Sequence, residues 1–193
     1  VKFSGTRANA VVFSQRGRMK TAVARREVIL SAGALQSPQL LQLSGIGDAT
    51  TLRNLGIDVL LDRPQVGQNL QDHLQIRVMH RCNEPLTTND DLRSWSRKIG
   101  MAVQYVAKRA GPMAVGINQA GAFVRTRPDL ERPDIQFHFA ALSSDLPGAP
   151  LHDFSGFTSS VCQLRPTSRG HLKITSNDPF ARPEIHPGYL STE

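Results

Sequence analysis

The amino-acid sequence predicts an α+β fold, and three observations carry that prediction. An unbroken apolar run, Val28-Ile29-Leu30, leads through four small residues into a leucine-bearing helix. Short strand patterns fill the first 24 residues and recur after residue 75. One long amphipathic helix pattern, opening at Asn89-Asp90 and closing at Gly111-Pro112, interrupts the second half.

Residues 1–24 read as β-structure. Val11-Val12-Phe13 is one apolar run, and Arg16-Gly17-Arg18 turns the chain into a strand holding Thr21 and Val23, as in a hairpin or meander. Residues 28–30 then suit a strand covered on both faces. Ser31-Ala32-Gly33-Ala34 has almost no side-chain bulk, so a backbone or a flat ligand can approach closely. Ser37 has the chemistry of an N-cap, with Pro38 at the first helical position and Leu40, Leu41 and Leu43 on the buried face. Gly45 stops that helix by taking positive φ.

Asp48 caps a second short helix that contains Leu52 and Leu55 and ends at Gly56. Ile57, Val59 and Leu61 alternate as a short strand. Residues 64–72 form an amide-rich loop bent at Gly67, which either meets the edge of a cofactor or satisfies its own backbone. A strand is expected over 75–82. In the long helix, Leu92, Trp95, Ile99, Val103 and Val106 recur at helical spacing, a pattern expected of core packing. Residues 117–124 suit another strand. Ile135, Phe137 and Phe139 alternate with Gln136, His138 and Ala140 as a half-buried strand, with His138 on its polar side. After a Pro/Gly/Ser/Asp-rich loop over 142–155, strands are expected at 157–164 and 172–175, around a turn at Ser168-Arg169-Gly170.

Composition narrows the function classes. The chain has 193 residues, a hydrophobic fraction of 39% and a net charge of +7. Its basic residues are scattered without interleaved aromatics, which fits a solvated basic surface and argues against nucleic-acid binding. No apolar run reaches the length of a membrane span. Cys82 and Cys162 are far apart and in no metal spacing, so free thiols in a reducing compartment are expected. Val1 is not a methionine and the chain opens inside strand pattern, so an internal segment of a longer protein is expected. The six histidines show no H-x-x-x-H spacing, and no metal site is expected.

Two stretches resemble a known family. Gly33-Ala34, Ser37-Pro38, Leu40-Leu41 and Ser44-Gly45-Ile46-Gly47 are similar to the second signature of the glucose–methanol–choline (GMC) flavoprotein oxidoreductases. Val66-Gly67-Gln68-Asn69-Leu70-Gln71-Asp72-His73 continues the match in order and spacing. The resemblance extends to both ends of the chain and favours the choline dehydrogenase and alcohol dehydrogenase branch. It implies the end of a FAD-binding, Rossmann-like domain over 1–74, a mainly antiparallel substrate domain with a covering helix over 75–165, and the start of a C-terminal region over 166–193.

The resemblance also implies an activity: FAD-dependent oxidation of a primary alcohol to an aldehyde by hydride transfer to flavin. The alternatives are oxidation of choline to betaine aldehyde and, from another class, a non-catalytic α+β binding module. The electron acceptor stays open. A cytoplasmic setting is expected, or a peripheral one at the inner membrane. No G-x-G-x-x-G occurs here, since Gly45-Ile46-Gly47 runs into Asp48-Ala49-Thr50. By the resemblance, that fingerprint lies upstream of Val1 and the catalytic histidine pair lies beyond Glu193. No catalytic residue is therefore expected in this stretch, which should not turn over substrate alone.

The family motif makes Ser31, Ala32 and Gly33 the candidate FAD contacts, mostly through backbone. Gln75 is the substrate-pocket candidate, because choline-specific relatives often carry a carboxylate there, and an amide offers no counter-charge to a trimethylammonium group. Asp72-His73 does not suit a catalytic dyad, since neighbours in an extended chain point to opposite sides. Structural roles are expected for His73 and His138.

Overall fold

A computed structural model describes residues 1–192. Among the described residues, twelve short strands and four α-helices form two compact units, one of 1–72 with 167–192 and one of 73–166. The mixture of several antiparallel sheets with few helices matches the α+β prediction at that level.

The first unit opens with an antiparallel meander of β1 (Lys2–Ser4), β2 (Arg7–Gln15) and β3 (Arg18–Val23). Arg16 and Gly17 both take positive φ, the two-residue turn whose twist suits a hairpin. Next come α1 (Gly33–Leu43), β4 (Ile46–Gly47), α2 (Ala49–Asn54), β5 (Leu61–Asp62) and β6 (Gln68–Leu70). Asp48 caps α2 as expected, accepting from the Thr51 N–H at 2.8 Å.

Three expectations for this unit need correction. Residues 28–30 form no strand, and Ile29 is 76% exposed. A strand needs a ladder partner, and none of the described residues pairs with this run. Helix α1 starts at Gly33, so Pro38 sits inside it and Ser37 is not its N-cap. The Ser37 hydroxyl instead accepts from the Ala32 N–H at 3.0 Å, satisfying a donor that the helix start leaves over. Of the alternating run at 57–61, only Leu61 enters a strand, in a two-residue parallel pair of β5 with β4.

The second unit holds β7 (Gln75–Arg81), α3 (Thr88–Arg93), α4 (Trp95–Lys108), β8 (Ala120–Val124), β9 (Ile135–Ala140) and β10 (Gly156–Gln163). Its strands form one antiparallel sheet in the order β7-β10-β9-β8. The chain then returns to the first unit, where β11 (Gly170–Lys173) lies between β6 and β12 (Glu184–His186).

In the second unit the long helix breaks in two at Ser94, whose backbone is extended. Its cap is Thr87 rather than Asn89-Asp90, because Thr87 and Asp90 close a reciprocal capping box. Asp90 accepts from the Thr87 N–H at 3.0 Å and from the Thr87 hydroxyl at 2.9 Å, and Arg93 pairs with its other oxygen. The Ser155 hydroxyl first, then the Thr87 and Arg93 donors, hold the Asp90 carboxyl well below the ordinary carboxylate range. A depressed folded pKa stabilises above the unfolded value of about 4 and is lost as pH falls through the folded one. Asp90→Asn should therefore lower the denaturation midpoint at neutral pH, and its deficit against the unchanged protein should shrink on acidification. A deficit constant with pH would contradict this.

Two apolar surfaces also depart from expectation. The α4 stripe does not pack into a core: Trp95 is 76% exposed, and Ile99, Val103 and Val106 are exposed with it. In β9 the phenylalanine side is the open one, with Phe137 41% exposed, while Ala140 on the other side is buried. The buried sheet face is built from Gly156, Thr158, Ser160 and Cys162 of β10. Residues 141–155 attach to it, with the Thr158 hydroxyl donating to the Leu142 carbonyl at 2.8 Å.

Candidate functional site

The two motif-bearing stretches of the first unit meet at one cavity of about 340 Å³. Ala34 and Pro38 of α1 line one part of it, and Gly67, Gln68, Asn69, Leu70, Gln71 and Leu172 line the rest. Three local devices hold it open. Gly67 has φ +89°, and a Cβ there would stand 2.1 Å from the Leu172 carbonyl oxygen, so only glycine fits. Its own carbonyl accepts from the Leu172 N–H at 2.6 Å. Asn69 takes a left-handed φ of 62°, which asparagine tolerates, and β6 continues the pairing with β11.

Helix α1 is fixed to the same strand by Gln42, which is buried. Its Nε2 donates to the Leu172 carbonyl at 3.3 Å, and its Oε1 accepts from the Ile174 N–H at 3.0 Å. The sequence reading passed over Gln42, whose only signal is a polar residue within a leucine-rich helical stripe. A cavity of about 370 Å³ shares Gln68 and Leu172 with the first, but its Asp48 is already committed to the α2 cap.

Ser31, Ala32 and Gly33 lie immediately before the cavity-lining Ala34, at the start of α1, and do not line it themselves. Ser31 and Gly33 are exposed and Ala32 is half-buried. A Cβ built on Gly33 meets nothing within 4 Å, so the space beside this turn is open. An open, bulk-free turn next to an amide-lined cavity fits a flat, polar-edged group held through backbone and amide hydrogen bonds.

In the second unit, Gln75 opens β7 and is exposed. Cross-strand register puts it beside Cys162 and Gln136, and puts Arg77 beside Ser160 and His138. These six residues share one face of the sheet; in sequence, Gln75 was the substrate-pocket candidate, His138 was read as structural, and Arg77 gave no signal. His73 Nε2 lies 3.1 Å from the Leu164 carbonyl, whereas Asp72 accepts from the Tyr189 hydroxyl. Each of the two thus has a partner other than its neighbour.

One constellation has the order of a nucleophilic triad. Ser143 Oγ lies 3.1 Å from His152 Nδ1, and His152 Nε2 lies 3.0 Å from Asp145 Oδ1. Ser143 is wholly buried and also receives Asn89 Nδ2 at 3.0 Å, so no substrate carbonyl can reach it. It is a clamp on the 141–155 loop. Among the described residues no group of three or more His, Cys, Asp or Glu side chains could hold a metal ion, and both cysteines are free. No helix among them is long and apolar enough to cross a membrane.

Comparison with known proteins agrees with these motifs. Residues 1–75 match the family model described as GMC oxidoreductase. The chain is 40% identical over 193 residues to an oxygen-dependent choline dehydrogenase of Staphylococcus saprophyticus, covering 100% of this chain and 34% of that protein. It is 42% identical to the mitochondrial choline dehydrogenase of Mus musculus, covering 100% of this chain and 32% of that one. A solved formate oxidase of Aspergillus oryzae RIB40, studied for its FAD modification, superposes with a TM-score of 0.86 at 26% identity, over 97% of this chain and 37% of that one. The chain thus spans about a third of the length of the curated relatives it matches.

Proposed function

Because the chain belongs to the GMC oxidoreductase family, whose members depend on FAD, we propose that it is part of an enzyme that oxidises a primary alcohol to an aldehyde. In this reading residues 1–74 complete the FAD-binding region, 75–165 form the substrate domain, and 166–193 begin the C-terminal region. The observation that carries it is the convergence of Ala34 and Pro38 at the start of α1 and the 67–71 amide loop on one open cavity.

FAD, when bound, accepts the hydride from the alcohol carbon. The protein's part is to bind and orient. Backbone at Ser31, Ala32 and Gly33 permits close approach, and the Gln68, Asn69 and Gln71 amides supply hydrogen bonds to a polar edge. Gln75, which opens β7, is the candidate contact to the alcohol within the substrate domain. No side chain of this chain is assigned as the base that takes the hydroxyl proton.

The test is the intact polypeptide. It should purify yellow, with flavin absorbance that a primary alcohol bleaches without oxygen. A colourless protein, or a flavin that no alcohol reduces, overturns the reading. A second reading, choline oxidation, is favoured by the identity to choline dehydrogenases over the whole chain. Gln75→Glu decides between them: a gain for choline relative to an aliphatic alcohol supports Gln75 as the selecting position. An unchanged ratio removes Gln75 from that role.

A further inference from the structure

Helix α4 carries an apolar stripe that its own unit leaves bare. At about 100° per residue, Trp95, Ile99, Val103 and Val106 fall within about 80° of the helix circumference, and all four are exposed. No residue of α4 is buried. Its half-buried residues Lys98, Met101 and Tyr105 mark the side turned toward the rest of the unit, and they occupy a different sector from the stripe. The helix leans on α3 and on the short turn Pro112–Ala114. Its charge is of one sign. It contains no Asp or Glu, while Arg97, Lys98 and Lys108 lie within it and Arg109 closes its C-terminus. The two carboxylates of α3 are taken up, Asp91 by Arg97 at 3.1 Å and Asp90 by Arg93. Lys98, Lys108 and Arg109 form no ion pair among the described residues. Lys98 and Arg109 stand on one border of the stripe. The Lys98 ammonium lies 4.9 Å from the Trp95 ring centre, and the Arg109 guanidinium 5.1 Å from that of Tyr105.

An exposed apolar stripe of this length marks an interaction surface. A protein partner would have to desolvate the unpaired Lys98 beside it, and lysine is depleted from protein interfaces. The headgroup layer of an anionic bilayer accepts the whole pattern. Aliphatic side chains enter the acyl boundary, tryptophan sits at headgroup level, and lysine and arginine extend their apolar stems so that their charges meet lipid phosphates. With 14 residues, α4 is about 21 Å long, too short to cross a bilayer and able to lie along one. We propose that α4 docks this protein onto an anionic phospholipid surface, with the Trp95–Val106 stripe facing the lipid. The inference goes beyond the alcohol-oxidising reading and does not depend on it.

The intact flavin-loaded protein is sedimented with phosphatidylcholine vesicles, with and without phosphatidylglycerol. Binding should be at least about tenfold tighter to the anionic vesicles and should fall as salt is added. Lys98→Gln combined with Lys108→Gln should weaken it about tenfold or more, since each cation near an anionic surface counts for about fivefold. Val103→Asp should abolish it, while flavin content, thermal midpoint and oligomeric state stay those of the unchanged protein. No binding to anionic vesicles, equal binding to both kinds, or binding that Val103→Asp leaves intact would each overturn the proposal. So would a Val103→Asp variant with a lowered thermal midpoint, because the rest of the polypeptide then covers the stripe. A Val103→Asp variant that splits an oligomer would overturn it too, because a second copy then covers the stripe. The comparison of the two vesicle types uses the unchanged protein and is free of folding effects.

Discussion

Ala34→Phe is expected to leave the protein folded and nearly free of flavin. Ala34 lies exposed in the first turn of α1, so the larger ring meets no packed neighbour in the folded chain. It also lines the cavity of about 340 Å³ shared with Gly67 and Asn69. Burying a phenyl ring there removes space that a planar ligand requires, and no rearrangement of Gly67 can return it. The glycine is pinned by the Leu172 carbonyl on one side and its own hydrogen bond to the Leu172 N–H on the other. Flavin content should fall at least about tenfold, which corresponds to about 1.4 kcal/mol of binding, with the thermal midpoint of the flavin-free forms unchanged. Stoichiometric flavin in the variant would remove this cavity from the cofactor site.

Asn89→Asp is expected to cost about 4 kcal/mol, the scale for an uncompensated charge left in a protein interior. The Asn89 side chain is 1% exposed. Its Nδ2 faces the carbonyls of Ser143, His152 and Phe154 at 3.1, 3.2 and 3.2 Å, and the Ser143 hydroxyl at 3.0 Å. Its Oδ1 accepts from the Ser143 N–H at 3.0 Å. Exchanging the amide nitrogen for a carboxylate oxygen turns three attractive contacts into repulsive ones with no water to screen them. The variant should recover stability in acid, where the carboxyl protonates and can donate again. Equilibrium denaturation and amide exchange over residues 141–155 report both effects. A variant as stable as the original at neutral pH would show that this clamp does not hold the loop.

The parts of the chain that could be read from sequence are those set by neighbouring residues. Gly45 ends α1 with φ +85° because a left-handed step there is easy only for glycine, and a Cβ would meet the Asp58 carbonyl at 2.4 Å. Asp48 caps α2 through a donor three residues away. Arg16-Gly17 turns a hairpin whose strands flank it directly. Each motif segment of the candidate site was likewise legible as a local pattern.

What required the tertiary structure is everything that depends on a distant partner. Gln42 and Asn89 look like ordinary polar residues until their acceptors arrive from 130 and 54 residues away. Periodicity identified the apolar sides of α4 and β9 but not what covers them, and in this chain both are open. Apolarity alone did not make residues 28–30 a strand, because a ladder is a property of two segments. Ala34 and Pro38 of α1 and the loop at Gly67 become one cavity only when β6 pairs with β11. Local backbone preference is carried by adjacent residues and survives in the bare sequence. Burial and convergence are carried by contacts that loop closure must first create, and no single stretch encodes those.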